Sequence, residues 1–225
     1  MVIKCVLVHK EKKLGIPERK KREREQRRQD ILNAAEKVFF SKGVKNSTMD
    51  DVAEAAELSK GTLYIYYKSK EELYLAITLR ALGILKSMFQ LAFSGPGTGL
   101  EKTFALGKAF YQFSIEHPDH YHALSYYEFT EIHVDNAGSV AGQCSDAGQE
   151  TLDILINAIR IGQSDGSIKP DIDPVSTAVI LWGQTTGVIQ LLSLKGWHLE
   201  KVHGLNMEGI VEKSFDFVKC ALEKK

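Results

Sequence analysis

Leu58-Ser59-Lys60-Gly61-Thr62-Leu63-Tyr64-Ile65-Tyr66-Tyr67-Lys68-Ser69-Lys70-Glu71-Glu72-Leu73 is the stretch on which the reading of this chain turns. Ser59 is a strong N-cap, because its hydroxyl can accept one of the N–H groups that a helix start leaves orphaned. It predicts a very short helix from Lys60 to about Tyr66. Ser69-Lys70-Glu71-Glu72 is an S-x-x-E capping box and predicts a second, long helix running to about Phe93. Upstream, Thr48 followed by Asp51 has the same logic with Asp in place of Glu. It opens a short helix to about Ala56, and Glu57-Leu58 is the turn between the two short helices. Still earlier, Ile31, Leu32, Ala35, Val38 and Phe39 recur on one helical face, and Gly43 suits the residue after that helix.

Three helices with these lengths and one tight turn make a helix-turn-helix. The first helix is a packing floor, the second crosses a nucleic-acid backbone and the third enters a groove. Val52, Ala53, Ala56, Leu58 and Leu63 are sized for a small shared core. The outer face of the third helix then offers Lys60, Thr62, Tyr64 and Tyr66, which can meet phosphate oxygens and base edges. Gly61 lets the backbone come close.

The residues from Ile31 to Phe39, then Gly43, Thr48, Val52-Ala53 and Leu58 through Leu73, resemble the TetR family of bacterial transcriptional regulators at the family's own spacing. The Ser-Lys-Gly-Thr-Leu-Tyr core followed by Ser-Lys-Glu carries most of that resemblance. It implies DNA contacts from Thr48, Ser59, Lys60, Gly61, Thr62, Tyr64, Tyr66 and Lys70, with Tyr67 as a core aromatic. Met49 falls where some members read a base, and a thioether cannot donate a hydrogen bond. The resemblance also implies an all-α fold, a homodimer on a palindromic operator, and release by a small molecule that moves the helix after the motif.

The totals of the 225-residue chain agree once they are divided by position. The formal net charge is zero. Residues 1–28, however, hold eleven Lys/Arg against four Glu, while residues 71–225 hold twelve against nineteen Asp/Glu. A basic head on an acidic body means that only the head meets a polyanion. Residues 1–24 are expected to be a basic arm, solvated or adding a DNA contact, with the first helix starting between Glu18 and Arg27 because Pro17 stops any helix from upstream. The helix-turn-helix domain is placed at 25–70 and an all-helical effector-binding and dimerisation domain at 71–225. Cys5, Cys144 and Cys220 form neither a metal spacing nor a disulfide framework, which suits a reducing cytoplasm.

The second domain reads as helices over about Leu100–His117, Asp119–Phe129, Gln143–Ile161, Pro174–Leu194 and Leu205–Glu223, with a loop at Gly162–Pro170. Pro174–Leu194 is uncharged and long enough to span a bilayer, but Gln184, Gln190, three Thr and two Ser favour a helix buried on most sides and no membrane. That helix and the last one, with its stripe of Met207, Ile210, Val211, Ser214, Phe217, Val218, Ala221 and Leu222, suit a four-helix dimer interface. Val179, Trp182, Ile189, Ile210, Val211, Phe217 and Val218 are the contact candidates. The ligand candidates are Phe104, Phe110, Phe113, Tyr121, Tyr126 and Trp182, with the polar Gln184 and Thr185. Tyr111, Tyr127, Phe129 and Thr186 lie nearby in sequence, and any one of the aromatics could instead be plain core. An apolar or aromatic effector follows.

His117-Pro118-Asp119-His120-Tyr121-His122 invites a metal reading, which Pro118 weakens by breaking the helix that an i, i+4 zinc pair needs. No nucleophile elbow, phosphate loop, H-E-x-x-H or recognisable carboxylate pair is present, so no cofactor, metal or enzyme activity is expected. The alternatives are a TetR-like activator or global regulator, or an all-α carrier or enzyme whose helix-turn-helix is vestigial.

Overall fold

The computed structural model describes residues 15–128 and 138–224. Cys5, Phe129 and the first fourteen residues of the basic arm therefore lie outside the described residues. The fold is all-α. The helices are α1 (Ile16–Lys42), α2 (Met49–Ala55), α3 (Lys60–Tyr66), α4 (Lys70–Ser94), α5 (Gly99–Glu116), α6 (Pro118–Glu128), α7 (Val140–Asp165), α8 (Pro174–His203) and α9 (Met207–Leu222). Two compact units divide between Leu73 and Tyr74, inside α4.

In the first unit α1 buries Ile31, Leu32, Ala34, Ala35, Val38 and Phe39 against Met49, Val52 and Ala53 of α2, Leu63 of α3, and Tyr67 and Leu73. The α1 helix begins at Ile16, earlier than the sequence reading expected. Pro17 sits in its first turn, where its missing N–H would be unsatisfied anyway. The same proline that stops a helix from upstream thus starts this one.

The second unit is a bundle of α5 to α9 with most of α4. Its core runs through Leu82, Leu85, Phe89, Leu106, Phe110, Phe113, Tyr121, Leu124, Ile156, Ile159 and Ile168. The tightest contact is between the start of α5 and the end of α7. A Cβ added at Gly99 would lie 1.9 Å from the Gly162 nitrogen, and one at Gly162 would lie 2.5 Å from Ile168 Cδ1. Gly162 was read as the start of a loop. It is instead a helical residue kept bare for this crossing, and α7 continues to Asp165 before Gly166 turns left-handed at φ 80°. The N–H groups of α5's first turn are capped from this neighbour. Gly99 donates to Asp165 Oδ2 at 2.7 Å and Leu100 to Ser167 Oγ at 3.1 Å.

Two further boundaries differ from the sequence reading. The α7 helix starts at Val140, because the Ser139 hydroxyl caps it by accepting the Gly142 N–H. The α8 helix runs on to His203, past the expected end at Leu194, through Lys195 and Gly196. Gly196 faces the Met207 sulfur, and the left-handed Gly204 ends the helix. Both α4 and α8 are long and apolar enough to cross a membrane by length and composition. The α4 helix spends those side chains on its own core, whereas α8 leaves much of its apolar surface uncovered.

Gly99→Ala is expected to destabilise the second unit by about 3 kcal/mol, the upper range for overpacking, because the new methyl meets backbone that cannot rotate away. Thermal unfolding followed by circular dichroism checks this, and an unchanged Tm would contradict the contact.

Candidate DNA-binding surface and ligand cavity

Each element of the helix-turn-helix is set by a local device. Thr48 Oγ1 accepts the Asp51 N–H at 3.1 Å, and the Asp51 carboxylate accepts the Thr48 N–H at 2.8 Å, so the capping box forms with Asp as its short fourth member. The α2–α3 turn places Glu57 at φ 54°, a left-handed position occupied here by a residue that is not glycine. Ser59 accepts the Thr62 N–H at 3.2 Å and pairs with the Thr62 hydroxyl at 2.8 Å. At the start of α4, Ser69 accepts the Glu72 N–H as expected, while Glu72 reaches one residue further back, to the Lys68 N–H.

The outer face of α3 carries the expected side chains. Lys60, Gly61 and Tyr64 are exposed, Tyr64 at 42%, and Thr62 and Tyr66 are half-buried. Ile65, at 70% exposure, was not singled out from the sequence. It stands one turn from Gly61, and a branched apolar side chain there suits a thymine methyl. The Lys60 ammonium lies 2.7 Å from Asp50 on α2, which raises its pKa above the ordinary lysine value. Exchanging this solvent-exposed pair for a phosphate costs little. The Lys70 ammonium donates to the Val44 and Ser47 carbonyls at 2.9 and 3.1 Å, so it first locks the 3-10 turn before α2 and keeps one donor for an anion. Met49 points inward and is buried, and Tyr67 is buried with the Arg28 guanidinium 4.8 Å above its ring.

A cavity of about 310 Å³ lies wholly within the second unit. Leu82, Leu85 and Phe89 of α4 form one wall, Phe104, Leu106, Gly107 and Phe110 of α5 another, and Cys144, Ser145, Gly148, Gln149, Thr151, Leu152 and Leu155 of α7 a third. Leu181, Trp182, Gln184 and Thr185 of α8 close it with Phe215 and Val218 of α9. Of the ligand candidates, Phe104, Phe110, Trp182, Gln184 and Thr185 line it. The other three do not. Phe113 and Tyr121 are spent on the core, their rings 6.4 Å apart, and Tyr126 is half-exposed, edge-on to Tyr74 at 5.5 Å. The α4 and α7 walls were missed. Their signal was the small residues Gly148 and Ser145 on the apolar side of α7, which leave room where a core helix would fill it.

No Asp, Glu, Lys, Arg or His is among the described lining residues. Most polar lining groups already serve their own helices: Thr185 donates to Leu181, Thr151 to Ala147 and Thr103 to Gly99. The Cys144 thiol donates to the Leu75 carbonyl, and burial pushes its pKa up to about 12, so it is no nucleophile at neutral pH. Gln184, which also lines the cavity, donates from its side-chain amide to the Ser214 carbonyl at 3.3 Å. Burial likewise raises the Tyr127 phenol, which also lines the cavity. Among the described residues no group of three or more metal-ligating side chains occurs, and the His117 and His120 rings stand 6.1 Å apart, edge to face.

The interface candidates divide by exposure. Ile189 of α8 and Val211 and Val218 of α9 are buried within this chain. Val179, Trp182 and Phe217 are exposed, Phe217 at 75%, and Ile210 is half-buried.

A capped helix-turn-helix followed by a helical unit that encloses an uncharged cavity defines a DNA-binding regulator. The family model for bacterial regulatory proteins of the tetR family matches residues 31–77. The HTH-type transcriptional regulator YhgD of Bacillus subtilis is 32% identical over 69% of this chain and 78% of its own length. The HTH-type transcriptional repressor KstR2 of Mycolicibacterium smegmatis is 28% identical over 65% of this chain and 70% of its own. The structure of FadR from Bacillus subtilis, solved with stearoyl-CoA, superposes with a TM-score of 0.64 over 84% of this chain and 95% of that one at 17% identity. The chain belongs to the TetR family of bacterial regulatory proteins.

The Asp51 carboxylate, paired with Lys42 at 2.7 Å and bonded to Thr48, is held at about 2 against an ordinary 3.8. Its folded value is depressed, so its stabilising contribution is complete above the ordinary value and is lost as pH falls through about 2. Unfolding midpoints between pH 5 and 2 should therefore fall in the wild type. In Asp51→Asn they should start lower and change less over that window. Identical pH profiles would contradict the capping role.

Proposed function

We propose that this chain is a ligand-released transcriptional repressor that binds a palindromic operator as a homodimer in the cytoplasm and catalyses no reaction. The carrying observation is the identity of the cavity's first wall. Leu82, Leu85 and Phe89 belong to α4, and Lys70, the first residue of the same helix, holds the turn before α2 through Val44 and Ser47. A ligand that shifts α4 by its own volume displaces the carbonyl-to-ammonium clamp on which α2 and α3 depend. DNA-bound and ligand-bound states then compete as two populations of one dimer.

The effector is a neutral, mostly apolar molecule. A charge placed among these linings would be stripped of water without a counter-charge. The Tyr127 hydroxyl, Ser145 and the Gln184 amide supply polar contacts for one or two hydroxyl or carbonyl groups. FadR of Bacillus subtilis, which shares this fold, was solved with stearoyl-CoA, a ligand with an apolar acyl chain and a charged coenzyme A part.

The dimer reading rests on the uncovered face of α8. Val179, Ile180, Leu191, Leu194 and Trp197 are exposed together with Phe217 of α9, Leu194 at 79%. A contiguous apolar surface of this kind marks an interaction site, and a two-fold axis lets one patch cover its own copy. Two recognition helices about 34 Å apart then reach successive major grooves.

Two variants test the two halves of the reading. Tyr64→Ala should weaken operator binding by about 1–3 kcal/mol, as for loss of a specific contact, with the dimer intact by sedimentation. Gly148→Leu, where a new Cβ meets nothing within 4 Å, should fill the cavity. Its operator affinity should match the wild type, while neutral apolar probes such as fatty alcohols and aryl ketones should no longer release it. Release equal to the wild type would remove the cavity from the mechanism.

A further inference from the structure

The amino-terminal turns of α1 bury nothing. From Ile16 to Asp30 every residue is exposed except the half-buried Arg28, and the first buried side chain is Ile31. Fifteen residues of helix thus stand clear of the core. One face of these turns carries cations without any acidic residue. At 100° per residue, Lys20, Lys21, Arg24, Arg27 and Arg28 fall within an arc of about 120°. Glu18, Glu23, Glu25 and Asp30 fall outside that arc, interleaved with Arg19 and Arg22, and they are used locally. Glu23 pairs with Arg19 at 3.3 Å, Glu25 accepts from Gln29 and Asp30 accepts from Gln26. Among the described residues, Lys20, Lys21, Arg24 and Arg27 form no ion pair.

This arrangement works against the helix that carries it. Like charges at i, i+4, such as Lys20 with Arg24 and Arg24 with Arg28, repel, and cations near an N-terminus oppose the helix dipole. A stripe whose Lys20, Lys21, Arg24 and Arg27 meet no anion among the described residues fits a partner that supplies the missing anions. The position of the stripe names the partner. Arg28, its C-terminal end, lies 4.8 Å over the Tyr67 ring, and its Nη1 is 3.5 Å from the Tyr66 carbonyl oxygen. The ridge therefore begins at the C-terminal end of the recognition helix α3. From Lys20 to Arg28 it runs about 12 Å. One DNA strand presents roughly three phosphates over that length.

We infer that the basic ridge of α1 is a second DNA contact, which clamps the duplex phosphate backbone flanking each half-site. The inference rests on the reading of α3 as the recognition helix. The ridge reads no bases. It adds affinity for any duplex and lengthens the protected site.

The test is the triple variant Lys20→Gln, Lys21→Gln, Arg24→Gln in the full chain, with helix content checked by circular dichroism. All three positions are exposed. The slope of log K against log salt should become shallower by about 0.9 for each lost contact. Affinity should fall by the same factor for operator and non-operator duplex, and the nuclease footprint should shorten at both outer edges. The charge-keeping variant Lys20→Arg, Lys21→Arg, Arg24→Lys should keep the wild-type slope and footprint. A triple variant with wild-type slope and footprint overturns the inference while leaving the recognition helix in place. A wild-type protein that forms no salt-sensitive complex, or a Tyr64→Ala variant of unchanged operator affinity, overturns the underlying reading instead.

Discussion

A seven-residue helix does not hold itself together in water, and this molecule places the side chains proposed to read DNA on one. Nucleating a helical turn costs more than a few hydrogen bonds return. Both α2 and α3 therefore depend on burial against α1 and on caps at their starts. Leu63 and Tyr67 anchor the inner side of α3, and Ser59 closes its first turn. That inner anchoring leaves Lys60, Tyr64 and Ile65 free outside. The same dependence makes the module easy to disturb, because Lys70 holds the preceding turn from a different helix.

The second unit solves a different problem. It must be packed tightly enough to fold and still keep a space open. The Gly99–Gly162 crossing brings α5 and α7 together at one end. Further along, α7 carries Ser145 and Gly148, and the two helices no longer fill the gap between them. Thr103, Thr151 and Thr185 on the cavity wall satisfy their hydroxyls within their own helices, and most of the lining is apolar. A neutral ligand enters the cavity without having to break an ion pair.

The helix-turn-helix was legible in the sequence because its signals are local. Caps at three-residue spacing, a turn between two short apolar runs and one amphipathic stripe need no knowledge of the rest of the chain. The cavity was only half legible. Of the ligand candidates, Phe104, Phe110, Trp182, Gln184 and Thr185 line it and Phe113, Tyr121 and Tyr126 do not, since the side to which an aromatic residue turns is fixed by helix crossings between distant residues. The crossing itself was hidden in Gly162, which reads as a helix breaker until its neighbour is known to be another glycine. Pro17 was ambiguous in the same way, a stop from one side and a start from the other. On α9 the apolar stripe is real, but Val211, Val218 and Leu222 satisfy the chain's own core, and Phe217 and Ala221 stand out into solvent.

The central claim is that the exposed face of α3 binds duplex DNA in a ligand-sensitive way. The most direct measurement is a gel shift of the purified chain on the intergenic DNA upstream of its own gene, at two salt concentrations. The account predicts a discrete complex with a two-fold symmetric footprint that weakens steeply as salt rises, because bound phosphates shed their counterions. Absence of any complex at low salt, with the cavity verified empty by mass spectrometry, would contradict it.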